Sequence, residues 1–226
     1  MIDLEKLRGT LIVSCQALPD EPLHGSDIMA KMALACVLGG ASAIRANSVV
    51  DINAIRKVVD VPIIGLIKKD YPDSEIYITP TKNEVLELIN SSCDIIAIDA
   101  TNRRRPNGEK LEDLLKLIKD SGKLAMADVS TFEEGIMAER MGFDLVSTTL
   151  SGYTSYSKKL IGPDVKLVKR LVKKLNIGVI AEGRISSERD LKKVMKAKPF
   201  AVVIGSAITR PLLITKKYVD TLKKYL

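Results

Sequence analysis

Eight apolar runs in this chain each end on a polar or small residue: Gln16, Arg45, Lys68, Asp99, Asp128, Thr148, Glu182 and Gly205. The set holds a lysine, an arginine and carboxylates, side chains that can move protons and steady negative oxygen. Two glycine-bearing segments follow the last two runs, Glu182-Gly183-Arg184 and Gly205-Ser206-Ala207. Glycine lets backbone amides approach an anion, and Arg210 just beyond adds a charged donor. Together these residues point to a small phosphorylated ligand. Each also has a plainer use. Strand-end charges cap loops or pair with neighbours, and glycines serve tight turns. The two readings separate on whether the whole set converges.

Convergence needs a scaffold, and the pattern supplies one. Short β-branched runs alternate with helical patterns from end to end, which reads as βα units with a parallel sheet. The expected strands are residues 11–17, 42–46, 62–67, 94–99, 123–128, 144–148, 178–182 and 201–205. Most are nearly unbroken apolar runs, as expected where helices cover both sheet faces. Eight units favour a closed (β/α)₈ TIM barrel over an open doubly wound sheet. No linker divides the chain, so residues 1–226 form one expected domain. In such barrels the site forms at the C-terminal strand ends, and phosphate often binds at loops seven and eight.

Side chains alternate along a strand, so parity is predictable. Ser14 shares a face with Gln16, Ala41 and Ala43 with Arg45, and Gly178 and Ile180 with Glu182. Lys68 and Lys69 must point apart, which leaves one of them at the surface. Asp99 is placed to anchor the following loop, and His24 to make a local hydrogen bond beside Pro22 and Gly25.

Helix starts are legible too. Thr81-x-x-Glu84 and Ser130-x-x-Glu133 read as capping boxes. Gly162-Pro163-Asp164 places proline in a first turn. Val165, Leu167, Val168, Leu171 and Val172 form one apolar stripe, and residues 211–226 form a last helix.

Composition narrows the function classes. Three cysteines without paired spacing argue against a disulfide framework and fit a reducing compartment. A single histidine leaves almost no zinc ligands. No apolar run spans a bilayer and the start lacks a signal peptide, so the expectation is a cytoplasmic protein without membrane contact. The net charge of +7 sits largely on helices, at residues such as Lys166, Lys169, Lys192 and Lys193, and reads as solvated faces. With aromatics at 4% and no tryptophan there is no stacking platform, and nucleic acid is not an expected partner. Arg103, Arg104 and Arg105 are expected mostly to face water.

The chain closely resembles the N-acetylmannosamine-6-phosphate 2-epimerases of sialic acid breakdown. The matching stretches include Ser14-Cys-Gln16, Ala43-Ile-Arg45-Ala-Asn-Ser48, Gly65-Leu-Ile-Lys68-Lys-Asp-Tyr71, Asp99-Ala-Thr101 and Met126-Ala-Asp128-Val-Ser130. Further on come Thr148-Thr-Leu-Ser-Gly-Tyr153, Ala181-Glu-Gly-Arg184 and Val203-Ile-Gly-Ser-Ala-Ile-Thr-Arg210-Pro. They run from the first strand to the last helix. The departures are conservative, such as Lys69 where an arginine is usual.

The resemblance implies a cofactor-free isomerase acting on a phosphorylated amino sugar, and it favours a homodimer. It implies catalytic roles for Lys68 and Glu182. It also implies substrate contacts from Gln16, Arg45, Asp128 and Arg210, with phosphate at Gly183, Gly205 and Ser206. The residue types fit: a neutral lysine takes the proton at C2 beside an open-chain aldehyde, and Arg45 with Gln16 steadies the oxygen that becomes negative. Asp128 is expected to orient Lys68 or a sugar hydroxyl. Two alternatives remain at this stage. One is an aldolase-type barrel in which Lys68 forms a Schiff base. The other is a phosphosugar-binding barrel without turnover.

Overall fold

The computed structural model describes residues 2–225. Its eight parallel strands close in sequence order: β1 (Leu11–Cys15), β2 (Ala43–Asn47), β3 (Ile63–Leu66), β4 (Ile95–Asp99), β5 (Leu124–Asp128), β6 (Leu145–Ser147), β7 (Gly178–Glu182) and β8 (Ala201–Ile204). β8 pairs back onto β1 through Leu11–Val202 and Val13–Ile204. Helices follow the strands: α1 (Ser26–Leu38), α2 (Val49–Arg56), α3 (Lys82–Ile89), α4 (Leu111–Asp120), α5 (Phe132–Met141), α6 (Val165–Lys174) and α7 (Glu188–Met195). A four-residue helix, α8 (Ser206–Thr209), and then α9 (Pro211–Leu222) complete the order. This is the (β/α)₈ barrel expected from the strand count.

Strict alternation of side chains sorts the core into two layers. Ile12, Ala43, Ile64, Ile95, Met126, Leu145, Ile180 and Val203 fill the barrel interior. Their neighbours Val13, Ile44, Ile63, Ile96, Ala125, Val146 and Val179 face out and pack under the helices. Leu4 and Leu7, on a 3₁₀ turn before β1, join the interior cluster and close the N-terminal end. Followed toward the C-terminal ends, the interior parity turns polar: Ser14, Arg45, Asp99, Asp128, Ser147 and Glu182. The alternation that builds the core therefore also aims the polar set into one mouth.

Local signals hold with small shifts. Thr81 and Glu84 form the expected capping box at α3. At α5 the box lies one residue later than the Ser130–Glu133 spacing predicts, between Thr131 and Glu134. The reason is burial. Glu134 is fully enclosed and also accepts hydrogen bonds from the Ser130 backbone N–H and hydroxyl, at 2.7 and 2.8 Å. Glu133 stays in solvent and faces Arg170. Pro163 lies outside its helix rather than in the first turn. Asp164 is the cap instead, its carboxylate accepting from the Leu167 N–H at 3.0 Å, because a carboxylate satisfies free amides that proline cannot. Leu167, Val168 and Leu171 of the α6 stripe are buried, with Val165 and Val172 packed at its edges. The last helix ends at Leu222 and passes into a 3₁₀ turn, Lys223–Tyr225; Leu226 lies outside the described residues. The basic residues of α6 and α7 are exposed, as solvated faces.

The arginine run after β4 departs from expectation. Only Arg104 faces water. Arg105 is buried and donates to the Pro80 and Asp99 carbonyls, and Arg103 pairs with Asp99 at 2.6 Å. Asp99 also accepts from the Thr101 N–H and hydroxyl, so it anchors this loop. Buried carbonyls needed donors, and these arginines supply them.

Gly65 marks the tightest strand–helix approach on β3. A Cβ there would lie 2.7 Å from Cys93 Cβ and 2.8 Å from Ile52 Cδ1. Cys93 Cβ cannot rotate away, so the backbone must give. Gly65→Ala is expected to destabilise the fold by about 1–3 kcal/mol. Thermal unfolding should show a fall of roughly 2–4 °C per kcal/mol for a chain of this size. An unchanged Tm would contradict this packing.

Candidate active site

A cavity of about 510 Å³ opens at the C-terminal mouth of the barrel. Gln16, Arg45, Lys68, Glu182, Gly183, Gly205, Ser206 and Arg210 all line it. Asp128 does not. Its carboxylate is fully buried behind the wall and bonded to Arg45 and Thr149. In this ligand-free arrangement Asp128 makes no side-chain bond to Lys68 among the described residues, and it holds Arg45.

Arg45 is the centre of the arrangement, 1% exposed on the interior face of β2. Its Nη2 donates to Asp128 Oδ2 at 2.5 Å, and its Nη1 donates to Asp128 Oδ1 at 3.0 Å. The same Nη1 donates to Glu182 Oε2 at 2.6 Å. Burial opposes the guanidinium charge, but Asp128 and Glu182 more than offset it and hold Arg45 protonated. Burial likewise pushes the Glu182 carboxyl above the ordinary carboxylate range, and Asp128 adds to this while Arg45 opposes it. The Arg45 Nε–H is the one buried side-chain polar atom without a partner among the described residues.

Lys68 stands just beyond β3. Its backbone N–H donates to Asn47 Oδ1 at 2.8 Å, which ties the residue to the end of β2. A short hairpin then returns over the mouth. Lys68 bridges to Ile78, and the Lys69 N–H donates to the Tyr77 carbonyl. This directs Lys68 into the cavity and Lys69 outward to Glu84, the split that parity requires. Burial and the Arg45 and Arg210 charges hold the Lys68 ammonium down at about 8, against the pull of Glu182 and Glu21. Roughly a tenth of the lysine is then neutral at pH 7, far more than for a solvated lysine.

The other end of the cavity suits an anion. Gly183 has φ +103°, a backbone that favours glycine, and Gly205 precedes α8. Gly205 also lies close to β1, where a Cβ would come 3.2 Å from Ser14 Cβ. Arg210 lines the same end and pairs with Glu21 at 2.6 Å. Gln16 donates to Ser14 Oγ at 2.9 Å, and both line the cavity. His24 lies away from this cavity and bonds the Ala17 carbonyl. Among the described residues no three His, Cys, Asp or Glu side chains stand together as metal ligands.

Two participants were missed in the sequence. The sequence puts the strand-six end at Thr148, but Thr148 bonds the Glu182 backbone. Thr149 instead enters the site, touching Arg45, Asp128 and Glu182, and Ser147 bonds Glu182 at 3.2 Å. Parity from Leu145 through Ser147 would have found both. Tyr77 and Tyr153 also line the cavity, from the long loops after β3 and β6. Those loops are clasped by buried capping glutamates. Tyr71 donates to Glu84 at 2.9 Å and Tyr156 to Glu134 at 2.5 Å.

Removing the central cation would leave Asp128 and Glu182 close together with no positive charge between them. Arg45→Leu is expected to cost about 3–5 kcal/mol at neutral pH. Part of that loss should return as acid protonates the carboxyls. Urea unfolding at two pH values tests it, and equal stability of variant and parent would refute the assignment.

Comparisons with known proteins place the fold in a family. The family model described as N-acetylmannosamine-6-phosphate epimerase (NanE) matches residues 29–224. A Clostridium perfringens protein named as an N-acetylmannosamine-6-phosphate 2-epimerase is 57% identical over 97% of this chain and 100% of its own length. A Clostridioides difficile relative of the same name is 56% identical over 97% and 99%. The solved structure of the C. perfringens epimerase superimposes with a TM-score of 0.95 at 56% identity, covering 96% of this chain and 95% of that one. A thiamine phosphate pyrophosphorylase from Pyrococcus furiosus, at 18% identity and TM-score 0.62, shares the fold. On the family match and these relatives, the chain belongs to the N-acetylmannosamine-6-phosphate epimerase family, and is an isomerase.

Proposed function

We propose that this protein reversibly interconverts N-acetylmannosamine 6-phosphate and N-acetylglucosamine 6-phosphate by removing and returning the C2 proton. The family membership supports the substrate. The single observation that carries the mechanism is Lys68: a half-buried lysine lining the cavity at the mouth of the barrel with Arg45, its ammonium held down at about 8. In the open-chain sugar the C1 aldehyde acidifies the C2 hydrogen. Neutral Lys68 takes that proton and the electron pair moves toward O1. Arg45 and Gln16 steady the negative oxygen. Return of the proton to the opposite face gives the epimer. Glu182, held above the usual carboxylate range, passes protons during ring opening or acts as acid on the second face. Arg210 with the turns at Gly183 and Gly205-Ser206 receives the phosphate.

The test is a proton NMR time course in heavy water with chelator present. The parent protein should form the gluco epimer with deuterium at C2, and Lys68→Ala should abolish that uptake. Undiminished exchange in the variant would remove Lys68 from the base role. The base works only when neutral, so kcat should rise with pH through about 8 and level off above it. A depressed lysine also suits imine chemistry. Trapping of Lys68 by borohydride with substrate present would replace proton abstraction with that route.

The protein is further proposed to be a homodimer. α9 has no buried residue, and Leu212, Tyr218 and Leu222 are each more than half exposed along it. A second copy of the chain is a fitting cover. Light scattering should give twice the chain mass, and a monomer at all concentrations would refute it. No helix of the described residues is long and apolar enough to cross a membrane.

A further inference from the structure

The hydroxyls of Ser147 and Thr149 lie 2.8 Å apart between two carboxylates. Thr149 Oγ1 is 2.6 Å from Asp128 Oδ1 and 3.0 Å from Glu182 Oε2. Ser147 Oγ is 3.2 Å from the same Glu182 oxygen. Arg45 Nη1 reaches Thr149 Oγ1 at 3.2 Å while also holding both carboxylates. The charged groups facing Glu182 are thus Arg45 from β2, Asp128 from β5 and Lys68 beyond β3.

Proton counting makes this arrangement informative. A hydroxyl carries one proton and two lone pairs. Thr149 cannot donate to Asp128 and Glu182 at once. With Glu182 ionised, Oε2 accepts from Arg45 and draws the Thr149 proton toward itself. With Glu182 protonated on Oε1, the oxygen outside this network, Oε2 becomes the weaker acceptor. The Thr149 proton then turns to Asp128 Oδ1 at 2.6 Å. Ser147 follows, donating to Glu182 in the first state and to Thr149 in the second. Only hydroxyl torsions change. One proton arrives on Glu182 Oε1 from substrate and leaves by the same oxygen, while the Thr149 and Ser147 protons stay on their own oxygens. Arg45 need not move.

We propose that Thr149, backed by Ser147, is a positioning residue: a hydroxyl relay that lets Glu182 gain and lose a proton while Arg45 stays fixed. The inference deepens the proposed function and rests on Glu182 exchanging protons there. Thr149 touches no reacting atom in this role, and acts through Glu182.

The test is carboxyl NMR of the ligand-free protein labelled with ¹³C-glutamate, the Glu182 signal being assigned with Glu182→Gln. Thr149→Val keeps the shape and removes the hydroxyl. The ionised carboxylate loses a stronger hydrogen bond than the neutral acid does, so the Glu182 midpoint should move up by about one pH unit. Thr149→Ser should return it to the parent position, and Ser147→Ala should shift it up by less than Thr149→Val. The Glu182-dependent limb of the kcat profile should move with it, KM unchanged. An unmoved midpoint in Thr149→Val overturns the relay. So does a Thr149→Ser shift as large as that of Thr149→Val, which would reveal packing alone. If Thr149→Val does not fold, Ser147→Ala decides the case by the same titration. Failure of the parent protein to turn over the sugar phosphate would sink the epimerase reading instead, since the ligand-free titration needs no substrate.

Discussion

A guanidinium locked between two carboxylates inside a closed barrel is the interaction on which the rest of this site depends. Arg45, Asp128 and Glu182 come from β2, β5 and β7, positions far apart in the chain. Taking such charges out of water is expensive, and only close mutual pairing offsets the cost. The pairing therefore demands that the barrel close with the right register. Ser14, beside Arg45 on β1, and Ser147, beside Asp128 on β6, are the small polar neighbours that this register allows.

The behaviour of the cavity follows from that buried centre. The positive charge of Arg45, with that of Arg210 and the loss of solvent, makes an ammonium at Lys68 costly. The same burial raises Glu182, so one site holds a lysine shifted down and a carboxyl shifted up. Opposed shifts of this kind are what the proposed acid and base roles require. The hydroxyls of Ser147 and Thr149 fill the space between the carboxylates, where an apolar side chain would leave lone pairs unserved.

Two long loops carry the remaining walls, and both are tied down in the same manner. Glu84 and Glu134 each cap a helix, and each also accepts a tyrosine hydroxyl from the loop above. A carboxylate at a helix N-terminus satisfies free amides and keeps one lone pair for a second partner. Tyr77 and Tyr153 are thereby held at the cavity by contacts made away from it. Arg184 adds a strap, donating to the Gly162 and Ser151 carbonyls and lying over the Tyr153 ring.

Much of this was legible in the sequence. Apolar runs set the eight strands, because buried parallel strands need two apolar faces. Alternation alone divided Lys68 from Lys69 and aligned Ser14, Arg45 and Glu182 with the interior. Local chemistry placed the Thr81 cap, and it missed the α5 cap by one residue because the burial of Glu134 is a tertiary fact. Only the tertiary structure decided who meets whom. Asp128 retreats behind Arg45 because a buried cation needs its carboxylate more than the cavity does. Arg103 and Arg105 turn inward because the β4 loop leaves an enclosed carboxylate and enclosed carbonyls to be satisfied. Parity gives Thr149 its direction, but its meeting with Arg45, Asp128 and Glu182 depends on closure. Periodicity determines the direction of a side chain along its own strand. Its partner across the barrel depends on closure, which no stretch of sequence contains by itself.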